Sequence, residues 1–141
     1  MASTEASRLR EIGSGINVME SDVLVEGRIL FLDSPQEVMA FVTGDAVAET
    51  IVISRGGTTT FMAPALASGV KGLITLQGAP ESHLGILSRE FGIPCVMSVA
   101  FAEGVQTPRG ETIPADGTLV RLDVSSKPEA RVLLVEDSAS R

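Results

Sequence analysis

The fold is decided by residues 72–98, whose sequence is Gly-Leu-Ile-Thr-Leu-Gln-Gly-Ala-Pro-Glu-Ser-His-Leu-Gly-Ile-Leu-Ser-Arg-Glu-Phe-Gly-Ile-Pro-Cys-Val-Met-Ser. The apolar run 72–76 is typical of a buried strand, and a helix is predicted to begin at about His83 after a glycine-containing turn. A second apolar run at 95–98 predicts the next strand. Strand, turn, helix and strand in this order indicate a βα unit whose two strands are parallel.

The end of this helix is marked by three consecutive signals. Gly92 is expected to cap the helix, Ile93 to make the accompanying hydrophobic contact, and Pro94 to prevent its continuation. The predicted buried stripe, at spacing i, i+3 and i+7, consists of Leu84, Leu87 and Phe91.

A second unit of the same kind precedes the first. Residues 50–54 predict a buried strand, and a short helix is expected at about 64–68, ended by Gly69. Two βα units in succession imply an α/β fold with a partly parallel mixed sheet and short helices packed on it.

Before these units, Ser34-Pro35-Gln36-Glu37 forms a capping box that predicts the start of another helix. The expected buried face of that helix comprises Val38, Met39, Phe41 and Val42. Residues 23–26 and 28–32 predict strands that flank Gly27, where a bulge or tight bend is expected.

The remaining segments set the expected domain limits. Residues 111–114, 119–123 and 130–135 are β-like, so the domain is expected to span residues 21–136. Residues 1–20 are polar and punctuated by glycine, which predicts a flexible N-terminal arm or an edge extension. Residues 137–141 are expected to fray.

Composition narrows the class of protein. The 141 residues suit one domain, and the formal net charge of −7 disfavours nucleic acid and anionic membrane surfaces as partners. With no Trp or Tyr, stacking platforms for bases are not expected. No apolar stretch approaches the roughly 18 residues of a membrane span, so a cytoplasmic protein without membrane contact is expected.

Ordinary metal and nucleotide motifs are missing from the sequence. One Cys and one His exclude a zinc site of the usual type, so no metal is expected on this chain. Cys95 lies in an apolar run and is interpreted as a packed thiol. Residues 55–60 (Arg-Gly-Gly-Thr-Thr-Thr) lack the Gly-Lys-Ser/Thr ending of a phosphate-binding loop, and are interpreted as a turn.

All imidazole chemistry in this chain must occur at His83, the only histidine. At a helix start, its ring could act as a nucleophile, and the helix N-terminus would favour an anion acquired there. The alternative is a histidine that packs and hydrogen-bonds without reacting.

The stretch around His83 resembles the mobile, or swivelling, phosphohistidine domain of phosphoenolpyruvate-utilising enzymes. That family carries roughly Gly-Gly-x-Thr-Ser-His and then Arg-Glu-x-Gly-Ile-Pro, which correspond to residues 78–83 and 89–94 here. Residues 27–30 and 116–123 resemble the opening and closing strands of the family. The resemblance covers residues 25–124 and implies a swivelling β/β/α domain.

The resemblance implies that His83 carries a phosphoryl group from ATP or phosphoenolpyruvate to a second site. Ser82 matches the family's serine, which implies a role in capping the helix or holding a phosphate oxygen. Arg89 matches its arginine, and either a structural salt bridge or a phosphate contact is expected. Ala79 replaces a family glycine, and Glu81 replaces a threonine, which places a negative charge beside the expected phosphohistidine.

The resemblance also implies partners. No cofactor is expected on this chain. ATP or phosphoenolpyruvate with Mg²⁺ is expected on a nucleotide-binding subunit and on a subunit that binds phosphoenolpyruvate or the acceptor. The chain is thus expected to be a phosphotransferase component, inactive alone. Two alternatives remain open, namely a non-catalytic regulatory subunit on the same fold and the swivelling small subunit of an aconitase-type hydratase.

Overall fold

A computed structural model describes residues 7–22, 24–55, 62–78 and 83–137 of the chain. Its elements are β1 (Ser7–Asn17), β2 (Val25–Phe31), α1 (Pro35–Val42), a 3-10 turn (Val47–Glu49), β3 (Thr50–Ser54), α2 (Ala63–Ala67), β4 (Gly72–Thr75), α3 (His83–Phe91), β5 (Cys95–Phe101), β6 (Val105–Gln106), β7 (Thr112–Ile113), β8 (Leu119–Asp123) and β9 (Glu129–Asp137).

Seven of these strands close into a barrel in the order β1-β5-β4-β3-β2-β8-β9. Strands β2 to β5 pair in parallel, whereas β1, β8 and β9 pair antiparallel with their neighbours. Strands β6 and β7 form a separate two-stranded sheet. The predicted α/β class, with a partly parallel mixed sheet and short helices, is confirmed. The closure of the sheet was not part of the prediction.

The two central parallel strands, β3 and β4, are buried at every position, which explains their apolar runs. Along β3, Ile51 and Ile53 point into the barrel, whereas Val52 points outward against the helices. The helix-facing core between barrel and helices also contains Val38, Met62, Ala65, Leu66, Leu73, Leu84, Ile93, Cys95 and Met97. The helices therefore cover only the parallel half of the barrel. Among the residues that the structure describes, no helix is long and apolar enough to cross a membrane.

Helix α1 begins as its sequence predicts. The Ser34 hydroxyl accepts a hydrogen bond from the Glu37 amide at 3.1 Å, and Pro35 is the first helical residue. The Glu37 carboxylate accepts from the amide of Asp33, one residue before the cap. The predicted buried face is right for Val38 but wrong for Met39, which is 54% exposed because it lies about 100° around the helix from Val38.

The predicted arm at residues 1–20 is wrong for residues 7–17. These residues form β1, which lies between β5 and β9 and completes the barrel. Its sequence is polar because much of the strand faces solvent, while Ile12 packs inside. At its end, the buried Asn17 amide donates to the carbonyl oxygens of Val124 and Ser126. Residues 1–6 and 138–141 lie outside the described residues, and the domain limits stay a prediction.

Gly27 lies in the middle of one continuous strand rather than at a bend between two. A Cβ built there would come within 2.7 Å of the Glu49 carbonyl oxygen and 3.2 Å of Ile51. The glycine therefore allows β2 to approach the turn that precedes β3.

Replacing Gly27 with alanine is expected to destabilise the domain by about 1–3 kcal/mol, because backbone and core must shift to admit the methyl group. Urea unfolding monitored by circular dichroism measures this change. Gly44→Ala is the matched control. Its added Cβ lies 3.4 Å from its nearest neighbour, so it should change stability by roughly 0.5 kcal/mol or less. Equal effects of the two substitutions would contradict the close approach.

Candidate functional site

The carboxyl ends of β2, β3 and β4 lie at one end of the barrel, because these strands are parallel. In parallel α/β sheets, ligands usually bind outside these ends. The segment that leaves β4 here leads to α3, whose first residue is His83. The structure describes the backbone of His83. Ala79, Glu81 and Ser82 lie outside the described residues, so their predicted roles stay predictions.

Helix α3 is docked firmly against the barrel. Leu84 and Ser88, one turn apart, are both buried, and Gly85 is buried beside them. The Ser88 hydroxyl donates to the Gly85 carbonyl oxygen at 2.9 Å. The helix therefore fixes the backbone position of its first residue, His83, relative to the barrel.

The thiol of Cys95 lies beneath this helix and is fully buried. Burial raises the pKa of Cys95 to about 12, although a hydrogen bond with Ser88 and the charge of Arg89 act in the opposite direction. The thiol therefore stays protonated at neutral pH, and the predicted packed, unreactive cysteine is supported.

The end of α3 follows the predicted pattern, with one exception. Gly92 has φ +69°, its amide donates to the Arg89 carbonyl, and the Ile93 amide donates to the Ser88 carbonyl at 2.8 Å. This pair of bonds is the Schellman motif, and the Ile93 side chain is buried as predicted. Phe91 is 47% exposed, so its assignment to the buried stripe is wrong. Ile93 fills the core where the helix stops.

Arg89 is not brought to the start of the helix. It lies in the last turn, about 9 Å along the helix axis from His83. Its side chain is exposed and forms no salt bridge with any other residue in the described ranges. A charge at this position stabilises the negative end of the helix dipole. A salt bridge within the described part of the chain is therefore not its role.

A network of charged side chains that the sequence did not predict lies at the same end of the barrel. The Arg55 guanidinium, just after β3, donates from Nε and Nη2 to both carboxylate oxygens of Glu111, at 2.7 and 2.9 Å. Its Nη1 donates to Asp33, which follows β2. The guanidinium carbon also lies 5.4 Å from the centre of the Phe31 ring. Arg55 thus joins three chain segments with a side chain that is only 9% exposed.

The charges of this network stabilise one another. Hydrogen bonds from Arg55, and then from Thr107 at 2.5 Å, lower the pKa of Glu111 to about 2. The hydrogen bond with Glu111 and the negative charge of Asp33 raise the pKa of Arg55, outweighing its burial. The Arg55 contact to Glu111 spans 56 positions of the chain, so no local sequence signal could have indicated it. The network fixes Arg55, the last described residue before position 62.

Metal ligands are not gathered in the described part of the chain. No group of three or more His, Cys, Asp or Glu residues there is arranged to hold a metal ion. The expectation that this chain binds no metal stays a prediction.

The profile of the family described as "PEP-utilising enzyme, mobile domain" matches residues 48–127, more than half of the chain. The phosphoenolpyruvate-protein phosphotransferase of Streptomyces coelicolor is 33% identical over 72 residues. This alignment covers 51% of the present chain but only 13% of that protein. Both β-α units and His83 lie inside the matched family region.

Proposed function

Because the chain belongs to the family of mobile domains of phosphoenolpyruvate-utilising enzymes, we propose that it carries a phosphoryl group on His83. The observation that carries the proposal is the position of the only histidine, which is the first residue of α3 inside the matched region. The docking of α3 through Leu84 and Ser88 supports it, because a nucleophile that serves two sites needs a fixed geometry.

The proposed chemistry is an in-line transfer in two steps. A lone pair on a ring nitrogen of neutral His83 attacks the phosphorus of the donor, and the bond from phosphorus to the leaving oxygen breaks. The leaving group takes that electron pair, giving ADP from ATP, or the enolate of pyruvate from phosphoenolpyruvate. In the second step an acceptor oxygen or nitrogen attacks the phosphorus, and the electrons of the N–P bond return to the ring.

The start of α3 is suited to the charge that the histidine gains. The first amide N–H groups of a helix have no partner within the helix and face a bound anion, and the helix dipole adds to their effect. Ser82 is proposed to cap the helix or to hold a phosphate oxygen. Glu81 is proposed to repel the phosphoryl group, which shortens the life of the phosphohistidine and favours its transfer onward.

Partners are part of the proposal, because the relative from Streptomyces coelicolor is several times longer than the matched region. We expect a nucleotide-binding subunit or domain and one that binds phosphoenolpyruvate or the final acceptor. Mg²⁺ is expected with the donor at those sites. On its own, the present chain is expected to transfer no phosphoryl group between small molecules.

The proposal is tested by locating the phosphoryl group. Protein purified with its natural partner is incubated with Mg²⁺ and either ATP or phosphoenolpyruvate, and is digested without acid. Mass spectrometry should place one phosphoryl group on His83, in a linkage that hydrolyses in acid and survives in base. A phosphoryl group on serine or threonine alone, or none with either donor, would contradict the proposal.

A second candidate is a non-catalytic regulatory subunit on the same fold. It is favoured by Glu81, a negatively charged residue only two positions before His83 in the sequence, because a like charge near His83 would disfavour a phosphoryl group there. In that case the partner should bind unmodified chain and the His83→Ala variant equally tightly, and the activity of the complex should not depend on residue 83. The family match favours either candidate over the small subunit of a hydratase.

A further inference from the structure

Strand β5 contains one extra residue that has no pairing partner on the neighbouring strand β1. In register, Ser14 lies opposite Ala100 and Ile16 opposite Met97, so β1 advances by two residues while β5 advances by three. The extra residue makes a β-bulge at Ser98 and Val99. Bulges beside functional sites commonly redirect a side chain out of the regular pleat.

The neighbouring strand is built to accept this bulge. A Cβ placed on Gly15 would lie 2.4 Å from the Met97 carbonyl oxygen and 2.8 Å from a Val99 methyl group. Only glycine therefore fits opposite the bulge. The irregularity in β5 is thus matched by residue choice on β1.

Ser98 adopts the left-handed backbone conformation, with φ +55°, which few residues other than glycine adopt. It is the one residue other than glycine with positive φ in the described ranges. In this conformation its hydroxyl donates to the Gly78 carbonyl oxygen at 2.6 Å. A serine kept in an unfavourable conformation that makes a specific contact suggests a functional constraint.

The contact falls on the segment that leads to His83. Leu76 and Gln77, which leave β4, donate their amides to the carbonyls of Ser54 and Arg55 on the β3 side. The buried Thr75 hydroxyl donates to the Gln77 carbonyl at 2.7 Å. From the β5 side, the Ser98 hydroxyl binds the carbonyl oxygen of Gly78, the last described residue before His83. Residues 76–78 are therefore held by β3, β4 and β5 together.

We propose that Ser98 is a positioning residue for phosphoryl transfer. Its bulge on β5 aims the hydroxyl at the Gly78 carbonyl, and this bond fixes the start of the segment that ends at the His83 nucleophile. The docked helix α3 fixes the other end. The proposal rests on the proposed carrier function of His83.

Two substitutions separate the hydroxyl from the backbone strain. Ser98→Ala removes the hydrogen bond and keeps the unfavourable φ, whereas Ser98→Gly removes the bond and relieves the strain. Both are expected to slow phosphoryl transfer to and from His83 by about tenfold, because a misplaced nucleophile loses its in-line geometry. Stability should separate the two variants, with Ser98→Gly melting at the higher temperature.

The control is Thr118→Ala, which removes a similar bond, from a hydroxyl to the Ala115 carbonyl at 2.6 Å, in the turn before β8. It should leave the transfer rate unchanged. Wild-type transfer rates in Ser98→Gly would overturn the proposal, since they would show that transfer does not need the Ser98 hydroxyl. Wild-type rates in both Ser98 variants would overturn it as well.

A second measurement needs no phosphoryl donor. His83 is the only histidine, so its ring gives a unique NMR signal in untagged protein. The shift of that signal, or its titration midpoint, should change in both Ser98 variants and stay unchanged in Thr118→Ala. If wild-type protein accepts no phosphoryl group, the carrier function fails and this measurement alone decides the positioning role. An unmoved signal in both variants would overturn that role.

Discussion

His83→Ala is expected to abolish phosphoryl acceptance, lowering the rate by about 10³-fold or more, because the chain has no second imidazole to replace the nucleophile. The fold should survive the change. Helix α3 is held by the burial of Leu84 and Ser88 and by the bonds that end it at Gly92 and Ile93. Alanine is also the best helix former, so the substitution raises the helix propensity of the first turn of α3.

The measurement is transfer of labelled phosphate from ATP or phosphoenolpyruvate, with the natural partner, followed over time and compared with thermal melting. Arg89→Ala is the matched control on the same helix. Since Arg89 lies about 9 Å along the helix from His83, its removal should change the rate by less than about threefold. Label that persists in His83→Ala would refute the assignment, and a large loss in Arg89→Ala would restore the phosphate contact implied by the family resemblance.

The parts of this fold that the sequence predicts are those determined by neighbouring residues. The Ser34 cap of α1 and the Gly92-Ile93 end of α3 each depend on residues within one helical turn, and both formed as expected. The central parallel strands β3 and β4 were also predicted, because their burial on both faces leaves an apolar run. Local chemistry suffices for these elements.

The parts of the fold that the sequence does not predict depend on contacts between segments far apart in the chain. The sequence of β1 is polar and rich in glycine because it faces solvent and passes over the bulge at Ser98, so it has no strand pattern of its own. Pairing with β9 brings Leu9 opposite Val135, more than 100 positions away along the chain. The same limit applies to the site. His83 could be singled out from its surroundings in the sequence. The Ser98 contact forms only when β5 lies beside β4, and the Arg55 contacts form only when the segments of Asp33 and Glu111 meet the end of β3.

Arg55→Ala is expected to destabilise the domain by about 3 kcal/mol, because it leaves two carboxylates near one another without their shared cation. The side chains of Glu111 and Asp33 are 24% and 38% exposed, so water compensates part of the loss and keeps it at the lower end of the usual range. Arg55→Lys should also destabilise the domain, but by less than Arg55→Ala. An ammonium group keeps the positive charge, but it cannot bind Glu111 through two parallel bonds and still reach Asp33. Urea unfolding at neutral pH measures both changes.

Arg131→Ala is the control, because it removes an arginine that also pairs with two carboxylates, those of Asp123 and Glu11, but is 52% exposed. Its removal should destabilise the domain far less than Arg55→Ala does, because water and salt screen an exposed ion pair. The pH dependence of stability then tests whether the ion pair between Arg55 and Glu111 is the cause of the loss in Arg55→Ala. Because the pKa of Glu111 is lower in the folded chain, about 2, than in the unfolded chain, its ion pair stabilises the fold fully above about pH 4.5 and ceases to do so as the pH falls to about 2. The stability difference between wild type and Arg55→Ala should therefore shrink by roughly 2 kcal/mol between these pH values. A difference that stays constant would show that Arg55 stabilises the domain by packing on Phe31 rather than by its charge.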